Sequence, residues 1–224
     1  MLAYQEMGYL PEALLNYLVR LGWSHGDQEM FTIQEMIENF SFNNVQASAA
    51  VFNQEKLQWL NAEYIKQSDP KFIAETLVPF LKQQGYDPNG SVQPQGGLEA
   101  VVPHVKERAK TLVEMTDWFL PFITEPVNID ESAATKFLTP AIAPSLKAFA
   151  EYLTMADNLS REILDRVIKG VLEEYNIKMG KFAQPLRVAL TGRTFSPGIH
   201  EVIQLLGKER TVQRIEEALK LVKG

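Results

Sequence analysis

Apolar side chains recur every three to four residues along most of the chain, which is the spacing of one face of an α-helix. In residues 8–24, Leu14, Leu18 and Leu21 follow this spacing, with Pro11 at the start and Gly22 at the end of the run. The same period predicts further helices at about 32–40, 53–65, 70–81, 98–122, 140–156, 160–175, 181–190, 196–207 and 208–222.

Capping residues mark several of the predicted helix starts. Thr32 and Glu35 have the spacing of a capping box, and Asn53 can cap the next helix. Turn-forming residues predict a loop over 84–97, and two prolines predict a connection over 121–135. Because alternating apolar and polar runs are scarce, an all-α fold is predicted.

The composition permits a folded core and excludes several kinds of site. The chain has 224 residues, 46% of them hydrophobic. It has no cysteine, which excludes disulfides, thiolate zinc sites and cysteine nucleophiles. No apolar run reaches membrane-spanning length, and no signal peptide is recognised at the start. Three tryptophans lie in apolar helical patterns and are predicted to be core residues, namely Trp23, Trp59 and Trp118.

The charge of the chain changes sign along its length. The formal net charge is −6, but residues 151–224 contain 12 Lys and Arg against 10 Asp and Glu. The acidic total argues against nucleic-acid binding, whereas the basic end allows it. A solvated surface of mixed charge explains the same distribution without a ligand.

A self-contained active site is not evident in the sequence. Neither the P-loop nor the dinucleotide-binding glycine pattern occurs. The histidines, at positions 25, 104 and 200, lack the spacing of metal ligands, and acidic pairs such as Glu173-Glu174 have no basic partner suited to acid–base chemistry. We therefore expect binding rather than catalysis.

Three segments carry a resemblance to a known family. They are the opening run 8–29, the segment 52–65 (FNQEKLQWLNAEYI) and the region 180–210, which contains GKFAQPLRVALTG, SPG and LLGKER. In this order and spacing they resemble bacterial glutamyl-tRNA synthetases, in the part that follows the catalytic domain.

The resemblance implies a helical region that contacts the tRNA stem, followed by two small helical-bundle subdomains that bind the anticodon. These regions are expected at residues 1–66, 67–150 and 151–224. The family's catalytic domain carries HIGH-like and KMSK-like ATP motifs, and neither occurs in this sequence. We therefore expect a portion without catalytic activity of its own. ATP and Mg²⁺ are expected only for the catalytic domain, and no cofactor or metal is expected in this chain.

The resemblance also implies which residues contact RNA. Arg108 matches an arginine that reads the third anticodon base in some members, and Arg187 matches one that contacts a base or phosphate. Ser196 is expected to cap a helix, Pro197 and Ile199 to offer apolar surface to splayed bases, and His200 to stack or donate a hydrogen bond. Phosphate contacts are expected from Lys181, Arg193, Lys208, Arg210 and Arg214.

The expected partner is tRNA, specifically the glutamate isoacceptor, and the sequence leaves open whether the glutamine isoacceptor is also bound. No DNA or membrane partner is expected, and we expect a cytoplasmic monomer. A helical protein–protein adaptor with no RNA role is the alternative at this point, because an acidic first part and amphipathic helices suit that function too.

Overall fold

The computed structural model describes residues 2–45 and 51–222, and helices account for its regular structure. No strand occurs within those ranges, although Trp23 and Val45 form an isolated antiparallel β-bridge. The all-α prediction is confirmed. The α-helices of the described residues are α1 (Leu2–Glu6), α2 (Pro11–Arg20), α3 (Ile33–Asn39), α4 (Gln54–Gln67), α5 (Pro70–Gln83), α6 (Gly97–Val105), α7 (Leu112–Ile123), α8 (Glu131–Phe137), α9 (Ala143–Met155), α10 (Arg161–Glu174), α11 (Met179–Thr191), α12 (Ile199–Leu206) and α13 (Lys208–Leu219).

Local side-chain chemistry starts several of these helices as predicted. The Thr32 hydroxyl accepts a hydrogen bond from Glu35 N, and the Glu35 carboxylate accepts one from Thr32 N, which completes the capping box of α3. Asn53 Oδ1 accepts from Lys56 N at the start of α4. Each cap satisfies backbone N–H groups that have no partner inside the helix.

The helix predicted over residues 98–122 is interrupted, so that part of the prediction is wrong. α6 is followed by a 3₁₀ turn, Lys106–Arg108, and α7 begins at Leu112. Leu112 N donates to Gly8 O at 2.9 Å. Gly8 has φ +82, and a Cβ there would lie 2.6 Å from Val113 N, so only glycine permits this approach. Helical periodicity does not predict this contact, because it joins segments that are far apart in the sequence.

Contacts divide the chain into two compact units. The first unit comprises Met1–Phe80 and Val105–Asp117, and the second comprises Leu81–His104 and Trp118–Gly224. The three regions predicted from the resemblance have boundaries after residues 66 and 150, and residue 150 lies inside α9. The functional roles assigned to those three regions stay a prediction.

In the first unit, α2 packs against α4 around a cluster formed by Tyr9, Leu14, Tyr17, Leu57 and Leu60. A second cluster contains Trp23, Phe31 and Met36, so Trp23 is a core residue as predicted.

The prediction of a core position is wrong for Trp59, which is 45% exposed. Trp59 stands two positions after Leu57, and such residues lie on opposite sides of a helix. The apolar pattern around it therefore does not bury it.

Two buried asparagines connect the segments of the first unit. Asn61 Oδ1 accepts from Leu10 N at 2.8 Å, and its Nδ2 donates to Lys110 O at 2.7 Å. Asn16 Oδ1 accepts from Phe31 N at 2.7 Å. Both side chains have 0% exposure, and the bonds to Leu10 N and Phe31 N are buried, so these two satisfy backbone groups that water does not reach.

In the second unit, α13 packs against α9, α11 and α12, and α10 packs against α9. Four phenylalanine rings are completely buried there, at positions 119, 122, 149 and 182. Among the described residues, no helix is both long and apolar enough to cross a membrane.

Candidate functional site

The loop between α11 and α12, residues 192–198, is the centre of the candidate site in the second unit. Gly192 ends α11 with φ +73, and a Cβ at this position would overlap the carbonyl oxygen of Asn128. Asp130 N donates to Gly192 O at 2.9 Å. A side chain on residue 192 would therefore force the loop away from the 126–130 segment. The absence of a side chain at Gly192 allows the two backbones to lie in direct contact.

A cavity of about 630 Å³ lies between this loop and the end of α7. Such a volume is within the range of about 300–1,000 Å³ that is typical of small-ligand sites. Apolar and polar groups share its walls. Its lining residues include Tyr86, Leu120, Thr124, Pro126, Asn128, Asp130, Thr191, Arg193 and Phe195.

An exposed aromatic ring stands at the edge of the cavity. Phe195 is 50% exposed, and its ring meets the Trp118 ring edge-on at a centroid distance of 5.2 Å. The Arg193 guanidinium carbon lies 5.7 Å from the centroid of Phe195, within the range of a cation–π contact. Trp118 is only partly buried, so it is not the core residue that was predicted. Its ring instead packs against the ring of Phe195.

A carboxylate provides the negative charge of the cavity. Asp130 Oδ1 accepts from Ser132 Oγ at 2.6 Å and from Ala133 N at 2.8 Å, and it caps α8. The Ser132 hydrogen bond, with the Ala133 backbone bond second, holds the pKa of Asp130 below its usual value. The carboxylate is therefore ionised at neutral pH.

The two predicted cations of α11 are differently placed. Lys181 is exposed and can meet a phosphate, whereas Arg187 is only partly exposed. Arg187 stands one helical turn before Thr191, whose hydroxyl donates to the Arg187 carbonyl at 2.9 Å. Their RNA contacts stay a prediction.

The helix start predicted at Ser196-Pro197 is corrected by the structure. The N-cap of α12 is Gly198, and no side chain caps this helix. The Ser196 hydroxyl donates instead to Pro197 O at 2.7 Å. Ser196 is therefore a turn residue and not the cap that was expected.

Apolar contact between bases and Pro197 or Ile199 is also corrected, because both side chains are buried in the second unit. Their burial leaves them little apolar surface to offer to a splayed base. The exposed Phe195 nearby provides such a surface instead. His200 is partly buried, and its Nε2 lies 2.8 Å from Asp165 Oδ1, which links α12 to α10.

The predicted phosphate contacts on α13 serve the interior of the second unit. Lys208 Nζ donates to the Ala156 carbonyl at the end of α9. Arg210 donates to Gln93 O at 3.0 Å and to Phe122 O at 3.2 Å, which engages its guanidinium internally. The structure therefore does not support phosphate binding by Arg210, and Lys208 is tied to a helix end.

Arg214 is wrong as a phosphate contact because it is completely buried, with 0% exposure. Its Nη1 donates to Leu190 O at 2.5 Å and its Nη2 to Thr124 O at 2.8 Å. Its Nε and Nη2 also donate to Glu125 Oε2 at 3.1 and 3.0 Å. Arg210 Nε shares the same oxygen at 3.3 Å.

This buried network joins the ends of the helices that border the cavity. Leu190 stands at the end of α11, and Thr124 directly follows α7. Burial lowers the pKa of Arg214, while the hydrogen bonds and charge of Glu125 oppose that shift, and an arginine stays protonated in proteins. Arg214 thus connects the end of α11 to the residue that follows α7, and both of these segments border the cavity.

Arg108 belongs to the first unit, whereas the other predicted RNA-contacting residues belong to the second. It is exposed and ends the 3₁₀ turn Lys106–Arg108. Its role at the third anticodon base stays a prediction. Over the described residues, no group of three acidic or histidine side chains is placed to hold a metal ion.

Sequence reasoning missed Phe195, Asn128 and Asp130 as candidate site residues. The signal for Phe195 was its place in the connection between the helices predicted over 181–190 and 196–207, although phenylalanine is in general among the residues most often buried. Asn128 and Asp130 carried no such signal, because their place at the cavity depends on the contact between Gly192 and the 126–130 segment.

Comparisons with known proteins identify the family. The family model described as "Anticodon binding domain" matches residues 72–219. The model described as "tRNA synthetases class I (E and Q), catalytic domain" matches residues 1–59. The opening segment was expected to follow the catalytic domain, and the second match shows that the catalytic family model extends over it.

Curated relatives match over nearly the whole chain. The glutamate–tRNA ligase of Geotalea uraniireducens (strain Rf4) is 46% identical over 222 residues, 99% of this chain and 47% of the relative. That of Syntrophotalea carbinolica (strain DSM 2380 / NBRC 103641 / GraBd1) is 47% identical over 218 residues, 97% of this chain and 46% of the relative. The chain thus spans about half the length of these curated relatives.

Solved structures agree with the sequence matches. A glutamate tRNA ligase from Elizabethkingia meningosepticum CCUG26117 matches with a TM-score of 0.84 and 31% identity, covering 98% of this chain and 43% of that one. A glutamate–tRNA synthetase from Elizabethkingia anophelis matches with a TM-score of 0.76 and 28% identity, covering 97% of this chain and 42% of that one. The adaptor alternative is not favoured by these matches, and the chain belongs to the anticodon-binding domain family, with homology over its length to a part of glutamate–tRNA ligases.

Proposed function

We propose that the chain binds tRNA and recognises its anticodon, as a part of a glutamate–tRNA ligase. The observation that carries this proposal is the match of residues 72–219 to the anticodon binding domain family. In such a protein, cationic side chains supply affinity through phosphates, and contacts to base edges supply the choice of RNA.

The surface of the second unit offers groups for both kinds of contact, to phosphates and to bases. Lys181 is exposed on α11, Arg187 is partly exposed on the same helix, and Arg193 is partly exposed and lines the cavity. Splayed bases of an RNA loop stack on aromatic rings and on guanidinium planes, and Phe195 with Arg193 above it offers both. In the first unit, Arg108 is the proposed contact for the third anticodon base.

The partner we propose is the glutamate isoacceptor of tRNA, bound by a monomer in the cytoplasm, with the glutamine isoacceptor as a competitor to be measured. Attachment of glutamate to that tRNA is proposed for the whole ligase, in which ATP and Mg²⁺ serve the catalytic domain. The role of this chain is to position the tRNA.

Filter binding of labelled glutamate tRNA tests the proposal. Affinity is expected to fall as salt rises, with a log–log slope of about −0.7 for each neutralised phosphate of a single-stranded loop, and to fall again when anticodon bases are substituted. Glutamine tRNA, with its different anticodon, is measured alongside. Binding that responds to salt but ignores the anticodon would contradict anticodon recognition.

Replacing Arg187 by alanine is expected to weaken tRNA binding by about 1–3 kcal/mol, as expected for a lost base contact. The partly buried position of Arg187 makes a thermal melt and a far-ultraviolet circular dichroism spectrum necessary controls. Lys169→Ala removes one positive charge from the exposed side of α10 and is expected to change affinity little. Equal losses of affinity in both variants would show that Arg187 contributes only its positive charge and not a specific contact.

A further inference from the structure

We propose that Asn89 is a site of covalent modification, where the side-chain amide is lost by cyclisation onto the backbone nitrogen of Gly90 and the chain reopens chiefly as isoaspartate. The two residues lie in an exposed turn of the second unit, in the loop between α5 and α6. No other asparagine of the chain precedes a glycine. The modification is a property of this loop and does not depend on RNA binding.

The reaction needs no reagent other than water. The backbone nitrogen of Gly90 loses its proton and attacks Cγ of Asn89, so that an N–Cγ bond forms and the Cγ–Nδ2 bond breaks. The leaving nitrogen takes up a proton and departs as ammonia, which leaves a cyclic imide. Water then opens the imide at its backbone carbonyl carbon to give isoaspartate, or at Cγ to give aspartate. Nothing is oxidised or reduced.

Gly90 makes the attacking nitrogen accessible because it carries no side chain. At every other asparagine the following residue has a Cβ, which crowds that nitrogen. Asn16 and Asn61 are protected further, because both are completely buried inside helices. In a helix the next backbone N–H donates to a carbonyl four residues earlier, which holds it away from the side chain.

The turn that contains Asn89 exposes it to water. Asn89 N donates to Asp87 Oδ1 at 3.1 Å, and Gly90 N donates to Asp87 O at 3.1 Å. The second of these hydrogen bonds must open before Gly90 N reacts. Opening such a bond costs little free energy in an exposed loop, because few buried contacts depend on it.

The modification changes the backbone that Gln93 bridges. Gln93 Nε2 donates to Pro88 O at 2.8 Å and to Gly90 O at 3.1 Å. Isoaspartate places one more atom in the main chain between these two carbonyls and adds a negative charge, so we expect Gln93 to lose at least one of the bonds. The far end of the loop is held elsewhere, since Gln95 N donates to Leu205 O at 2.7 Å.

The test follows the whole chain during storage in a mildly alkaline buffer, with timed samples digested by trypsin and analysed by mass spectrometry. Asn89 is the only asparagine of the tryptic peptide 83–106. Asn158 is the internal control, because it is also exposed in a loop but precedes a leucine. Asn89 is expected to lose its amide roughly tenfold faster than Asn158, a difference of about 1.4 kcal/mol in activation free energy.

Two variants test the cyclisation itself. Gly90→Ala adds a Cβ that would lie 3.1 Å from Asp87 Oδ2 and 3.2 Å from Asp87 O, so its fold is checked by a thermal melt. Asn89→Gln keeps the glycine but requires a larger ring. Gly90→Ala is expected to lose the Asn89 amide as slowly as Asn158 loses its own, and Asn89→Gln is expected to keep the amide of its glutamine.

Hydrogen exchange tests the structural consequence. After storage, the amides of residues 88–93 are expected to exchange faster, while Gln95 N stays protected by Leu205 O. Asn89→Asp is the matched control, because it adds the charge without the extra backbone atom and is expected to leave this exchange unchanged.

Three results would overturn the proposal. The first is loss of the Asn158 amide as fast as that of Asn89, and the second is an unchanged reaction rate in a folded Gly90→Ala variant. The third is a product that electron-transfer fragmentation identifies as aspartate without isoaspartate, since direct hydrolysis of the side chain gives that result and the cyclic route does not.

Discussion

Replacing Arg214 by methionine is expected to lower the free energy of unfolding of the second unit by about 3–5 kcal/mol, the usual cost of breaking a buried ion pair from one side. The change removes two hydrogen bonds to Glu125 and those to the carbonyls of Leu190 and Thr124. Methionine fills similar space, so the loss reports the polar contacts rather than an empty volume.

Urea unfolding measures this loss, followed by the fluorescence of Trp118 in a background where the other two tryptophans are phenylalanine. The double variant Arg214→Met with Glu125→Leu is the key control, because removing both charges is expected to recover part of the stability. A loss under about 1 kcal/mol for the single variant would show that the network contributes no more than an exposed ion pair.

Replacing Asn61 by leucine is expected to destabilise the first unit by about 3 kcal/mol. Leucine has nearly the shape of asparagine, but it leaves Leu10 N and Lys110 O without the partners that Asn61 supplies. Leu10 N is buried, and a buried polar group left without a hydrogen bond costs about 1–3 kcal/mol; Lys110 O is only partly buried and contributes the smaller share.

The comparison for Asn61→Leu is Asn43→Leu, which makes the same exchange at an exposed position. That control is expected to stay within about 0.5 kcal/mol of the unmodified protein. Trp23, a buried residue of the first unit, reports the transition when it is the single tryptophan retained. Equal stabilities of the two variants would contradict the assigned role of Asn61.

The parts of the fold that were predicted correctly depend on neighbours in sequence. The caps at Thr32 and Asn53 act within three residues, so their patterns were sufficient. The interruption between α6 and α7 was missed because it depends on Gly8, about a hundred residues earlier in the chain. Helical period also failed to distinguish the exposed Trp59 from its buried neighbours.

The same distinction applies to the candidate site. Charge and motif singled out Arg214, but a sequence does not reveal that Glu125 and two carbonyl groups enclose this guanidinium. Conversely, the cavity could not be predicted, since its walls come from segments near residues 86, 124, 130 and 193. Resemblance identified the family correctly, whereas the role of each side chain required its burial and its partners.

Hydroxyl-radical footprinting of glutamate tRNA bound to this chain tests the central claim, recognition of the anticodon, most directly. The account predicts protection of the backbone in the anticodon loop and its adjoining stem at saturating protein, with loss of that protection when the anticodon is replaced. Protection confined to the acceptor end, or an anticodon loop cleaved as readily as in free tRNA, would contradict it.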